Sequence, residues 1–428
     1  MPQTMAEKLL SRKAGRPVGA GELAVCAVDL TVAHDGNRPQ SIDILRELGG
    51  NGPWDPERVK LVIDHAPTQP NQAAAAIHAG MRQFGREFGV EVLGPGEGIC
   101  HQIIPERGYV SPGDLVLGTD SHTCTYGAYN MFGSGVGSSD LAAAMLTGTL
   151  WLKVPESIRI HVEGRLRPGV YAKDAILHLT RVMTADGATY AALEFDGPGL
   201  EHLSVGSRMT MANMAVEMGA KAGLFPYDRV LADWLAGRRL RRAPAPVAAD
   251  PGATYQSELT LNLTDLEPQI ACPHNVDNVR PVSEVAGTPI HQAVIGTCVN
   301  GRLEDIEEAA RVLRGRRVHP EVRLFVTPAS REVYLAAVRS GAIEVLLEAG
   351  AVMATPGCSG CTGGSHVAIP SDGENVISTA NRNFIGRLGN PFASTYLASP
   401  AVVAAAAVAG KIVDCRNYLG VSADAGQG

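Results

Sequence analysis

Ala293-Val294-Ile295-Gly296-Thr297-Cys298-Val299-Asn300-Gly301 runs straight into Arg302 to Leu313. The first four residues read as a buried strand, the next five as a polar turn, and the remainder as a helix with Glu304 and Asp305 in its early turns, where carboxylates suit the helix dipole. The same unit recurs along the chain. Val59 to Ile63 reads as a strand, and Asn71 to Phe88 as a helix with Ala73, Ile77, Met81, Phe84 and Phe88 near helical spacing. Leu115 to Gly118, Ile158 to Val162, Val322 to Val326, Ala351 to Ala354 and Val376 to Ser378 read as further strands, and Ser138-Ser139 precede an apolar stretch that reaches Leu152. Strand, loop and helix in repetition predict α/β layers with largely parallel sheets. In such sheets ligands gather at the carboxyl ends of the strands.

That rule gathers a scattered set of polar residues. Asp64 and His65 follow one expected strand, and Asp120, Ser121 and His122 another. Cys298, then Cys358 and Cys361, then Asn381 and Arg382 follow three more. Chance places one or two reactive groups at strand ends, not five sets. Singly, each has a plainer reading: Asp64-His65 as a hydrogen-bonded turn, Asp120 to His122 as a polar loop, His101 as a satisfied buried histidine. Asn213 and Glu217 sit four apart in Met209 to Ala220, so one helix would put them on a common face. Arg382 and Arg387 have the better-defined use, because a guanidinium grips a carboxylate through two parallel bonds. Gly133-x-Gly135-x-Gly137 lacks the spacing of a dinucleotide fingerprint.

The cysteines narrow the chemistry. Three thiolates can hold three corners of a cubane iron-sulfur cluster and leave one iron without a protein ligand, which makes it a Lewis acid for a substrate hydroxyl and carboxylate. A structural zinc would want a fourth close Cys or His, for which Cys272 or Cys415 are the candidates, and it predicts a binding or scaffold protein. A redox dithiol leaves Cys298 unexplained, and an electron carrier typically takes four cysteine ligands. The open-iron cluster, the zinc site and the electron carrier stay open at this level.

Composition sets the frame. The 428 residues, 45% of them hydrophobic, suffice for several cores, roughly three at about 150 residues each. A net charge of -7 offers no basic patch for nucleic acid. Eight irregularly spaced cysteines suit a reducing cytosol and hence a cytoplasmic protein. No signal-peptide pattern opens the chain, and Ala401 to Gly410 is too short an apolar run to span a bilayer, so no membrane partner is expected.

Taken in order, the motifs resemble the aconitase family, within it the large subunits of the 3-isopropylmalate dehydratase and homoaconitase group. The matching stretches are Val-Ile-Asp-His-Ala-Pro at 62–67, Gly-Ile-Cys-His-Gln at 98–102, Leu-Gly-Thr-Asp-Ser-His-Thr-Cys-Thr-Tyr-Gly-Ala at 117–128, residues 209–221, the three cysteines, and Ser-Thr-Ala-Asn-Arg-Asn-Phe-Ile-Gly-Arg at 378–387. The resemblance implies three α/β/α domains, expected at 1–155, 156–283 and 284–428, around a 4Fe-4S cluster. It also implies reversible dehydration of a hydroxy di- or tricarboxylate, with 3-isopropylmalate, homocitrate or homoaconitate, 2,3-dimethylmalate and citramalate-like acids all open. By motif, Cys298, Cys358 and Cys361 correspond to cluster ligands, Asp64 and His65 to the pair serving the leaving hydroxyl, and His101, Asp120 and His122 to the network beside it. Ser121, Asn213, Asn381, Arg382 and Arg387 correspond to substrate- and cluster-side hydrogen bonding, and Glu217 to a catalytic carboxylate of the second domain. Val32-Ala33-His34-Asp35 departs from the group's wording, so no role is carried over to His34 or Asp35. Too little chain follows Gly410 for the family's swivelling domain, so a separate small subunit in a hetero-oligomer is expected to complete the site.

Overall fold

Val59–Val62 and Leu115–Gly118 are buried at every position, as strands covered by helices on both faces must be. The structure, a computed structural model, describes residues 1–37, 40–363 and 367–419. Gly364, the last glycine of the Cys358–Cys361 motif, and the chain after Leu419 lie outside them.

Three sheets organise the molecule. The first is parallel throughout, in the order Glu91–Leu93, Val59–Val62, Leu30–His34, Leu115–Gly118, Phe132–Gly135. The second, also parallel, runs Ala222–Leu224, Ala192–Asp196, Ser157–Glu163, Ser257–Asn262. The third runs Val279–Pro281, Gln269–Ala271, Ser394–Ala398, Asn375–Ser378, Gln292–Ile295, Arg323–Val326, Val352–Met353, with only Gln269–Ala271 antiparallel to its neighbours. Two strands of that sheet, Gln269–Ala271 and Val279–Pro281, thus precede residue 284, where the sequence suggested the third unit to begin. The Ala401 run forms the helix Pro400–Ala409, packed in the third core. No helix among the described residues is long and apolar enough to cross a membrane.

Two local expectations change. The apolar stretch after Ser138 is a helix only to Thr147. Gly148 ends it at φ 70°, and Thr149–Lys153 pairs antiparallel with Leu23–Ala27. Glycine takes that left-handed turn without Cβ strain, so one apolar run divides into helix and strand. Likewise Met209 to Ala220 is not one helix. Val205–Met214 is α-helical and Ala215–Met218 tightens to a 3-10 turn before Gly219 at φ 86°, which gives Asn213 and Glu217 different directions.

The helix Cys100–Glu106, which carries His101, is tied to the third layer through its last residue. Glu106 Oε1 accepts from Gln102 Nε2 at 2.6 Å and from Ser330 Oγ at 2.9 Å, and burial pushes its carboxyl up from 4.5 to about 7. The folded chain therefore holds a proton in that window that the unfolded chain has lost, and Glu106 weakens the fold as pH rises through about 7. Glu106→Gln keeps an acceptor without the charge. It is expected to raise stability above pH 7 by up to about 3 kcal/mol and to change little below pH 4.5, read by thermal unfolding at both ends.

Candidate active site

Strand ends deliver the site, as the parallel sheets require. Leu30–His34, Val59–Val62 and Leu115–Gly118 are neighbours in the first sheet, and their ends bring His34-Asp35, Asp64-His65 and Asp120 to His122 together. Asp35 fixes the middle turn. Its carboxylate accepts the backbone N–H groups of Asp64 (3.0 Å), His65 (2.8 Å) and Ala66 (2.9 Å), and His78 Nε2 lies 3.0 Å away. Burial opposes its charge, yet His78, His65 and those amides hold its carboxyl well below the usual range. Gly36 follows because a Cβ there would stand 2.7 Å from the His65 ring.

A chain of carboxylates and imidazoles runs from this turn. Asp64 Oδ2 accepts the Cys100 backbone N–H at 2.8 Å, and Asp64 Oδ1 lies 2.7 Å from His65 Nδ1. Asp120 then faces three rings: His65 Nε2, His101 Nε2 and His122 Nδ1, each at 3.3 Å. His122 Nε2 lies 2.7 Å from Glu217 Oε1, and Arg382 Nε donates to both Glu217 oxygens at 2.9 and 3.0 Å. Burial disfavours charge on His65 and His122, but the carboxylates outweigh it. His65 rises well above its ordinary value, and His122, beside Cys298, Asp120 and Glu217, rises to about 10. Asp120 stays well below its ordinary value against the cost of burial, mainly through His101, and Glu217 is lowered by His122 and Arg382. At neutral pH Asp120 and Glu217 are thus anions, and His65 and His122 imidazolium rings beside them.

The thiols converge beside it. Cys358 shares hydrogen bonds with both Cys298 and Cys361, and all three side chains are buried. Those bonds lower Cys298 to about 6 and bring Cys361 well below the ordinary thiol value, while Cys358 rises as the donor. Asn381 bridges the trio: its Nδ2 donates to Cys298 Sγ at 3.3 Å, and its Oδ1 lies 3.4 Å from Cys361 Sγ. Arg387 Nη2 donates to Cys361 Sγ at 2.9 Å. Gly357, at φ 158°, lets the Cys358 loop press on the Asp64 carbonyl, where a Cβ would stand 2.6 Å away. Three close sulfurs, with N–H groups aimed at Cys298 and Cys361, fit the needs of an iron-sulfur cluster, whose sulfur charge such bonds disperse. Among the described residues no fourth cysteine joins these hydrogen bonds.

Behind the trio, Lys173 is fully buried. Its Nζ donates to the Ala380 carbonyl at 2.7 Å and the Thr379 carbonyl at 3.1 Å, the two residues before Asn381. Burial lowers its pKa to about 7, against the pull of Cys298, Glu217 and Cys361.

A cavity of about 570 Å³ opens beside these groups, lined by His65, Asp120, Ser121, His122, Cys358, Cys361, Arg382 and Arg387 and by Ala73, Ala74 and Ile77 of the helix Gln72–Phe88. The structure therefore gathers most of the residues expected from sequence around one space. His101 and Asn381 stand just behind the wall, while Asn213 is buried farther back, donating to Thr125 Oγ1 at 2.9 Å and accepting from Asn381 at 3.1 Å. Sequence reasoning missed His78 and Lys173, and left His34 and Asp35 without a role. The strand end at His34 was the available signal for two of them; Lys173 reads as an ordinary helix cation and offered none.

Comparison with known proteins finds relatives along nearly the whole chain. The aconitase family (aconitate hydratase) model matches residues 8–410. The chain is 47% identical over 420 residues to "3-isopropylmalate dehydratase large subunit 1" of Methanopyrus kandleri, covering 98% of this chain and 100% of the relative. It is 48% identical over 421 residues to the protein of that name from Thermotoga maritima, with the same coverage. It is also 46% identical over 414 residues to the "Probable methanogen homoaconitase large subunit" of Methanothermobacter thermautotrophicus, covering 95% of this chain and 96% of the relative. The crystal structure of Thermococcus kodakaraensis aconitase X aligns over 90% of this chain and 94% of that one, with a TM-score of 0.50 at 14% identity, a likeness of fold. With a family match over most of its length and relatives 47 to 48% identical along nearly all of it, the chain belongs to the aconitase family.

Proposed function

We propose that this chain is the cluster-binding large subunit of a hydro-lyase that reversibly dehydrates a hydroxy-dicarboxylate of the 3-isopropylmalate or homoaconitate type. One observation carries the reading: Cys358, Cys361, both guanidinium groups, His65 and Asp120 line a single cavity, with Cys298 bonded to Cys358 and Asp64 to His65 just behind them. Cys298, Cys358 and Cys361 would hold a 4Fe-4S cluster, which supplies a Lewis-acidic iron without a protein ligand.

The chain's own residues account for binding and proton movement. Arg382 and Arg387 line the cavity as carboxylate ligands, and the Nε of Arg387 finds no partner among the described residues. His65, kept as an imidazolium by Asp64 and Asp120, is the group to protonate a departing hydroxyl and to recover that proton in the hydration direction. Asp120 keeps its three imidazoles oriented, and Glu217 holds His122 and Arg382 in place.

The relatives' names as large subunits support a small-subunit partner for this chain too, to close the cavity and supply the base for the neighbouring carbon. Ala73, Ala74 and Ile77 add methyl groups rather than charge to the cavity wall, which favours an alkyl-bearing acid such as 3-isopropylmalate over a tricarboxylate. Three α/β/α units, the third taking up the strands from Gln269 onward, fit the sheet membership. Eight free cysteines suit the cytoplasm.

The test is anaerobic reconstitution with iron and sulfide, together with a small-subunit candidate, followed by a screen of hydroxy-diacids for the ultraviolet absorbance of the conjugated alkene. A brown protein that turns over 3-isopropylmalate supports the reading. Colourless protein that binds zinc instead of iron discards it.

A further inference from the structure

We infer that Lys173 is the buried countercharge of the sulfur trio, a positioning residue whose ammonium favours extra negative charge on a cluster held by Cys298, Cys358 and Cys361. The inference deepens the functional reading above and rests on it. Lys173 is the second residue of the helix Ala172–Met183, where the helix dipole favours anions, and its side chain is wholly buried. The helix itself therefore gains nothing from a cation there. Three acceptors surround Nζ: the Ala380 carbonyl at 2.7 Å, the Thr379 carbonyl at 3.1 Å and Met214 Sδ at 3.3 Å. An ammonium meets them with three N–H groups, whereas a neutral amine has two and would turn its lone pair on an acceptor. The geometry describes a charged lysine.

No carboxylate balances that charge. Among the described residues Lys173 forms no ion pair, and Asp174, beside it in the chain, accepts the backbone N–H groups of Tyr171 and Gln269, each at 2.8 Å. A buried charge without a partner is costly enough that an anion is expected close by. Burial works against the ammonium, and the groups that work for it are led by Cys298, followed by Glu217 and Cys361. Glu217 is already engaged with His122 and Arg382, which leaves the two sulfurs. Arg387 meets Cys361 as a lining residue of the cavity, and Lys173 supplies a second cation from the buried second layer. A unit positive charge in a low-dielectric interior favours whichever state of a neighbouring group is the more negative. Lys173 thus makes the cluster easier to reduce and harder to oxidise.

The test reads the reduction potential of the anaerobically reconstituted full chain, by electron paramagnetic resonance during titration with dithionite, beside iron content and circular dichroism. Lys173→Gln removes the charge and keeps N–H donors, Lys173→Met removes both, and Lys173→Arg keeps both. Each neutral variant should make the one-electron reduction constant at least about tenfold less favourable, a shift of about 59 mV to more negative potential, with Lys173→Arg near wild type. A purely structural clasp predicts a different order, with Gln resembling wild type and Met losing stability at unmoved potential. If one neutral variant fails to fold, the other carries the comparison. A folded neutral variant without iron counts for the inference when the arginine variant holds iron, and against it when the arginine variant loses iron too. A neutral variant with wild-type potential overturns the inference alone. Wild-type protein that takes up no iron overturns the functional reading and the inference with it.

Discussion

Cys358→Ala is expected to yield a folded chain that retains little iron after anaerobic reconstitution and shows no measurable turnover with its small subunit. Cys358 is the middle of the trio, hydrogen-bonded to both Cys298 and Cys361, so its removal takes away one corner and the link between the other two. The alanine leaves a small space in a cavity-lining loop already shaped by Gly357 and Gly360, and secondary structure should be unchanged. A Lewis-acidic metal contributes several kcal/mol of transition-state stabilisation, so activity should fall by at least about 1,000-fold. Iron analysis and circular dichroism on the same sample separate cluster loss from unfolding. Full iron content with full activity would sink the ligand assignment.

Asp120→Asn should have the second largest effect while leaving iron in place. Asparagine preserves the side-chain oxygen that accepts the His122 backbone N–H at 2.7 Å, so the loop keeps its shape. What disappears is the anion facing His65, His101 and His122. Without it His65 is held as a cation by Asp64 alone, its pKa falls, and the protonated form needed to serve the leaving hydroxyl is lost at lower pH. Turnover should drop by about 100- to 10,000-fold, the range for a misplaced general acid, and the alkaline limb of the remaining pH profile should move toward neutrality. A variant with wild-type turnover and an unmoved alkaline limb would remove Asp120 from the proton path.

The sequence exposes what depends on neighbours along the chain and hides what depends on neighbours across it. Val59–Val62, Leu115–Gly118 and Gln292–Ile295 are legible because an apolar run between turns has few other uses, and each is followed by the polar group that its strand end presents. Leu30–His34 is as buried as these, but Thr31 and His34 interrupt its apolar pattern and the central strand of the first sheet goes unread. Asp35 looks like any turn aspartate; only the fold reveals that it gathers the amides of residues 64 to 66. Asn213 and Glu217 were expected on one helical face, and the tightening after Met214 sends one to Asn381 and the other to His122. Glu217 and Arg382 meet from different sheets, a pairing that no spacing rule reaches.

Lys173 belongs to the helix Ala172–Met183 of the second layer, yet it clasps two carbonyls at the end of a third-layer strand. A single ammonium therefore rivets those layers together directly beneath the sulfur trio. That clasp also sets the backbone just before Asn381, so the amide that spans Cys298 and Cys361 inherits its place from a cation of the neighbouring layer.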